Sequence, residues 1–202
     1  MQNKTYVIGI TGGVGSGKSL VLEYLKENYP CRIYIADKIA NDIKEPGSKI
    51  NAKLTELLGD EILNEDGSVN KPVMAAKMFA SEELTKKVNE IIHPAVKDYL
   101  VDSIESAKKD ESIKYVFIEA ALLIEAGYKD ILDEIWYVRR PSDERFKSLS
   151  DSRGYTLEKT KSIMDKQLSD GDFAKNSDRI IENDGTIDEL YGKVKVCVEG
   201  LM

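Results

Sequence analysis

The stretch GITGGVGSGKSL, residues 9–20, constrains this chain more than any other. Two-thirds of it is Gly, Ser or Thr, yet it directly follows the apolar run Tyr6-Val7-Ile8. Placing so many freely rotating residues after a buried strand costs conformational entropy, which a ligand must offset. Within it, Gly12-Gly13-Val14-Gly15-Ser16-Gly17-Lys18-Ser19 fits G-x-x-x-x-G-K-[ST], the phosphate-binding loop that joins a strand to a helix. Glycines let successive N–H groups turn inward and form an anion nest. The free N–H groups and dipole of the following helix add to the attraction. Lys18 then supplies a point charge for the β- and γ-phosphates, and the Ser19 hydroxyl is a ligand for Mg²⁺. The expected occupant is a nucleoside triphosphate with Mg²⁺, held along Gly12, Gly13, Val14, Gly15, Ser16, Gly17, Lys18, Ser19 and Leu20.

The remaining pattern alternates strands and helices. Apolar runs predict strands at Thr5–Ile10, Arg32–Ala36, Tyr115–Glu119, Glu134–Val138 and Arg179–Glu182. Helices are expected at Lys18–Asn28, Asp37–Lys44 and Lys49–Leu58, over Pro72–Ala107 in two or three pieces, within 142–177, and from Thr186 onward. This alternation predicts an α/β fold, a P-loop NTPase with a five-stranded parallel sheet flanked by helices. Two helical blocks are too long for simple crossovers. A single kinase domain over 1–202 is therefore expected, with a core at about 1–36, 111–141 and 178–202, an inserted acceptor-binding segment at about 37–110 and a lid at about 142–177.

In such a sheet, ligands gather beyond the carboxyl ends of the strands. That rule selects Asp37, Glu119 to Glu125, Arg139-Arg140 and Asn183. Asp37 suits a general base for an acceptor hydroxyl; the alternative, which can coexist with it, is an N-cap for a helix beginning at Lys38. Glu119 is either the acid that orients Mg²⁺ or its water, or a solvated strand end; Glu125 is either a ligand or a surface charge. In the lid, Arg145 and Arg153 are candidates to close on the triphosphate, against the alternative of a solvated helix face. His93, the only histidine, precedes Pro94; a proline at the first position of a helix would put His93 at an amino end, in a structural or an anion-holding role. Trp136 is expected in the core, and Tyr155 in lid packing.

Composition removes several classes. A formal charge of −7 argues against sequence-independent nucleic-acid binding. No apolar run approaches the length of a membrane span, and the first residues read as a strand rather than a leader. Cys31 and Cys197 show no metal-binding spacing and are expected to be reduced thiols, which favours the cytoplasm. A guanine-reading N-K-x-D is missing, since ENDG at 182–185 lacks the lysine. A small-molecule kinase is the expectation, with a monomer favoured.

The ordered motifs resemble the dephospho-coenzyme A kinase family from about residue 7 to 190. The resemblance is carried by IGITGGVGSGKS, ADKIANDIKEPG, LGDEILNEDGSVNKPVMAAKMFA, VNEIIHPAV, EAALLIEAGY, SRGYTLEKTKSIMDKQ and SDRIIENDG. It implies ATP- and Mg²⁺-dependent phosphorylation of the ribose 3′-hydroxyl of dephospho-CoA. It also implies Asp37 as the base, with Lys18 and Glu119 in catalysis, and Lys71, His93 and Glu125 at the acceptor site. Arg145 or Arg153 would belong to the lid, and Asn183 would lie near adenine. The chain departs from the family pattern at Ile35, where an acid is frequent, at Asn41 and Lys71, where arginine is common, at Ala121 for a usual proline, and at Ser148 for a usual lid arginine. Two other readings use the same scaffold: a kinase for another metabolite or a nucleoside monophosphate, and a non-catalytic nucleotide-binding protein.

Overall fold

β-Branched and apolar side chains make Tyr6–Thr11 the central strand, β1, of the computed structural model, which describes residues 4–153, 156–165 and 167–201. The side chains of residues 151–153, 157 and 159 lie outside the described set. In chain order the elements are α1 Lys18–Asn28, β2 Cys31–Ile35, α2 Ala36–Asp42, α3 Lys49–Leu58, α4 Lys71–Ala80 and α5 Glu82–Lys108. After these come β3 Tyr115–Glu119, β4 Glu134–Arg139, α6 Ser142–Arg153, α7 Leu157–Met164, α8 Asp170–Lys175, β5 Arg179–Glu182 and α9 Ile187–Glu199. The strands form one sheet in the order β2-β3-β1-β4-β5. β1 pairs in parallel with β3 and β4, and β4 with β5, with Ile10 opposite Glu119 and Thr11 opposite Tyr137. The expected α/β sheet is therefore present. It places the loop after β1 between the ends of β3 and β4, where the strand order reverses.

The chain divides into two compact units, residues 1–34 with 104–202, and residues 35–103. In the first, alternation along the strands turns Ile8, Ile10, Phe117, Trp136, Val138 and Ile181 to one face. There they pack on Val21, Leu22 and Leu25 of α1 and Leu190, Val194 and Val198 of α9. Each fully buried aliphatic side chain there contributes about 1.5–3 kcal/mol relative to exposure. Trp136 is fully buried as expected, and its indole N–H donates to Glu134 at 2.8 Å. On the other face Gly9 lies close to Leu123 and Leu132, and Tyr137 stacks on Phe173 of α8 at 5.0 Å. Cys31 and Cys197 are both free thiols.

The second unit is helical. Leu54, Leu58, Ile62, Met74 and Val88 form its core. Ser48 caps α3 by accepting from the Asn51 N–H at 3.0 Å, and Asn70 caps α4 by accepting from Val73 at 3.2 Å. The buried Asn51 amide donates to the carbonyls of Lys44 and Gly67, joining the end of α2 to the turn before α4.

Two local expectations need correction. Pro94 does not open a helix: it lies inside α5, so His93 is mid-helix. An interior proline loses a helix bond at a cost of about 3 kcal/mol, but Val88, Val96, Leu100 and Ile104 are all buried along this helix and outweigh that local preference. Nor is Asp37 an N-cap, because α2 begins one residue earlier, at Ala36, and its cap position is Ile35. Among the described residues no helix is long and apolar enough to cross a membrane.

Candidate functional site

The chain leaves β1 through Gly12, Gly15 and Gly17, at φ of +142°, +78° and +97°. L side chains rarely adopt these angles. Space is equally restrictive at Gly12, where a Cβ would stand 2.4 Å from the Val138 carbonyl oxygen. Asn183, just past β5, is buried against Gly17 and donates its amide N–H to the Ser16 carbonyl at 2.8 Å. It braces the loop across a sequence separation of 167 residues.

Among the described residues, no hydrogen bond engages the N–H groups of Gly13, Gly15 and Gly17. Ser16 Oγ is buried with no hydrogen-bond partner among those residues. Donors left unpaired at a loop that opens a helix make a concave anion site. The residues therefore fit phosphate. Lys18 Nζ donates to the carbonyls of Gly12 at 2.9 Å and Gly13 at 3.4 Å, and lies 3.5 Å from Glu119 Oε1. Both side chains are largely enclosed, 12% and 14% exposed, so the attraction is poorly screened by water. Glu119 ends β3 directly beside β1, which is how the strand-end rule found it. Ser19 is exposed in the first turn of α1. Its hydroxyl and the Glu119 carboxylate are hard oxygen donors of the type Mg²⁺ takes. Leu20 packs partly buried against the sheet core.

Arg145, in the first turn of α6, is only 7% exposed. Its guanidinium lies on Gly13, where a Cβ would meet Nη1 at 1.8 Å. Its Nη1 is 3.9 Å from Asp170 Oδ1, which also accepts the Tyr137 hydroxyl at 2.8 Å, and its Nε is buried without a partner among the described residues. Gln167 meets the same turn: its Oε1 accepts from the Val14 N–H at 2.9 Å. Gln167 ends the motif SRGYTLEKTKSIMDKQ, but no role of its own follows from that motif, since its contact is with a residue 153 positions away. The Arg153 side chain and Tyr155 lie outside the described residues.

The second unit holds Asp37, Lys71 and His93. Asp37 is exposed in the first turn of α2, and its carboxylate accepts no hydrogen bond among the described residues. Burial, and then the neighbouring Lys71 ammonium, hold Lys44 below the ordinary lysine range, while Asp37 acts in the opposite sense. Lys44, Lys71 and Asp37 therefore share one electrostatic neighbourhood, and Lys44 is a member the sequence reading did not select. His93 lines a groove of about 450 Å³ with Glu82, Lys86, Asn89 and Glu90, and burial lowers its imidazole pKa. Glu125, in the first unit, is exposed after β3 and makes no hydrogen bond or ion pair among the described residues. No group of three or more metal-ligating side chains occurs among the described residues.

A model of the dephospho-CoA kinase family matches residues 6–189. A dephospho-CoA kinase of Dehalococcoides mccartyi is 32% identical over 193 residues, which is 96% of this chain and 94% of the relative. One from Corynebacterium efficiens is 36% identical over 184 residues, 91% of this chain and 90% of its own. A solved structure from Thermus thermophilus superposes with a TM-score of 0.83 at 25% identity, covering 98% of this chain and 99% of that one. The fold is shared more distantly with a shikimate kinase of Acinetobacter baumannii, at a TM-score of 0.54 and 13% identity over 98% of this chain and 96% of that one.

Proposed function

The chain belongs to the dephospho-CoA kinase family, and from that premise we propose how its side chains perform the reaction. The reaction is ATP-dependent phosphorylation of the ribose 3′-hydroxyl of dephospho-CoA, giving coenzyme A and ADP in coenzyme A biosynthesis. The observation that carries the residue assignments is the meeting of Lys18, Glu119 and Arg145 at Gly12-Gly13, beside loop N–H groups that are unpaired among the described residues.

In this reading the N–H groups of Gly13, Gly15 and Gly17 and the Lys18 ammonium hold the phosphates. Preorganised donors of this kind stabilise charge developing in phosphoryl transfer. Ser19 would hold Mg²⁺ and Glu119 would orient its water; the ion, when bound, neutralises charge on the β- and γ-oxygens. Asp37 draws the proton from the 3′-hydroxyl, and its carboxylate, which accepts no hydrogen bond among the described residues, suits that role. Lys71, His93 and Glu125 serve the acceptor, with Lys44 adding charge beside Asp37. Arg145 or Arg153 closes on the triphosphate. Asn183 braces the loop, and this reading also assigns it the adenine side. Residues 37–110 form the acceptor segment and 142–177 the lid. The reading is completed by a cytoplasmic monomer without nucleic-acid partners, in keeping with a net charge of −7 and two free thiols.

The test follows ADP release and product mass with dephospho-CoA, AMP, shikimate or no acceptor. Wild-type turnover is expected with dephospho-CoA alone. Asp37→Asn keeps the side-chain shape and removes the base. It should lower kcat by about 10²–10⁴-fold, with ATP affinity preserved. A kcat near wild type would remove the base assignment, and turnover on a different acceptor would replace the substrate.

A further inference from the structure

Gln167 joins Arg145 on the Gly13-Val14 turn, and the reaction as described gives it no part. Its orientation is set by chemistry: a backbone N–H can only donate, so the Gln167 oxygen must face Val14. That leaves the NH₂ group turned away from Val14 with two donor hydrogens. Among the described residues those hydrogens have no acceptor. Gln167 Oε1 and Arg145 Nη1 lie 3.5 Å and 1.8 Å from where a Gly13 Cβ would be, so both side chains crowd one peptide. The Lys18 ammonium, on the carbonyls of Gly12 and Gly13, marks the same stretch. In a P-loop this lysine reaches the β- and γ-phosphates, whereas the loop N–H groups cradle the α- and β-phosphates. The Gly13-Val14 end therefore faces the terminal phosphate.

We propose that Gln167 is a nucleotide-binding residue specific for the terminal phosphate. Its oxygen fixes the Val14 N–H, and its NH₂ group donates to a γ-phosphoryl oxygen. Gln167 thereby lets the loop distinguish a triphosphate from a diphosphate, and ADP leaves without having to break that bond. The proposal rests on the kinase reading only in taking the ligand to be ATP.

Binding of ATP and of ADP, each with Mg²⁺ and without acceptor, tests it by calorimetry on the full chain. Gln167→Glu keeps an oxygen for the Val14 N–H but puts a carboxylate where the donor was. It should weaken ATP about tenfold or more while changing ADP less than about threefold. Gln167→Ala should shift the ATP-to-ADP ratio in the same direction by a smaller factor, and it carries the test if the glutamate variant unfolds in thermal melts. Equal weakening of ATP and ADP, or no change in either, would overturn the proposal, since Gln167 would then only pin the loop. Wild-type ATP binding without turnover of dephospho-CoA would instead count against the kinase reading and leave the Gln167 comparison intact.

Discussion

Gly12 and Gly47 separate two reasons for a glycine. Both have positive φ, +142° and +80°, but only Gly12 also faces a backbone oxygen, at 2.4 Å from an added Cβ. At Gly47 nothing lies within 4 Å. Backbone cannot rotate away as a side chain can, so Gly12→Ala must move β4 or the loop. We expect it to lose about 1–3 kcal/mol of stability and most turnover, whereas Gly47→Ala carries only the conformational cost and retains activity. Denaturant melts and turnover of both variants check this; equal stability of the two would sink the steric argument. At this scale the P-loop was legible because its chemistry is contiguous, from Gly12 to Ser19. Glu119 was legible because a strand end is a place as well as a residue. Gln167 and Lys44 fall inside the motifs SRGYTLEKTKSIMDKQ and ADKIANDIKEPG, yet no local rule assigned either a role, since each gains meaning from a residue elsewhere in the chain.

Among the elements, α9 shows how a helix end is made from two residues. Thr186 Oγ1 accepts from the Glu189 N–H at 3.3 Å, and Glu189 Oε2 accepts from the Thr186 N–H at 2.7 Å. This reciprocal box satisfies two donors that a helix start leaves open. The helix then lays Leu190, Val194 and Val198 on the sheet. Thr186→Ala should lower unfolding free energy by about 1 kcal/mol and leave the ATP KM within about twofold, because Asn183 is held separately by its N–H to the Arg139 carbonyl and its amide to Ser16. A large rise in ATP KM would show that the cap also positions Asn183. The apolar pattern placed α1, α3 and a last helix from Thr186 onward, although of these only α3 and α9 carry a side-chain cap, since Gly17 before α1 makes none. α5 was misread for the opposite reason: a proline signals a helix start locally, and only burial along the whole helix reveals that it continues.

On the scale of the whole molecule, distant parts of the chain are tied by charge as well as by apolar packing. Glu134 at the start of β4 accepts from Arg179 of β5 at 2.7 and 3.0 Å, and Arg179 also donates to the Gly200 carbonyl just past α9. The strand alternation foretold that β4 and β5 exist, but not this clasp, because pairing order and register appear only when the sheet closes. Arg179, followed by the Trp136 N–H, holds the Glu134 carboxyl below its ordinary value of 4.5, against the opposing effect of burial. A carboxyl with a depressed folded-state pKa binds fewer protons folded than unfolded. Its contribution to stability is thus complete above the ordinary value of 4.5 and is lost as the pH falls through the lower folded value. Glu134→Gln removes that titration while keeping the shape. Chemical melts from about pH 7 to about pH 3 should show wild-type stability falling faster than that of the glutamine variant in the acid range. Parallel pH profiles would mean that Glu134 does not couple protonation to folding, and that the clasp holds by geometry rather than by charge.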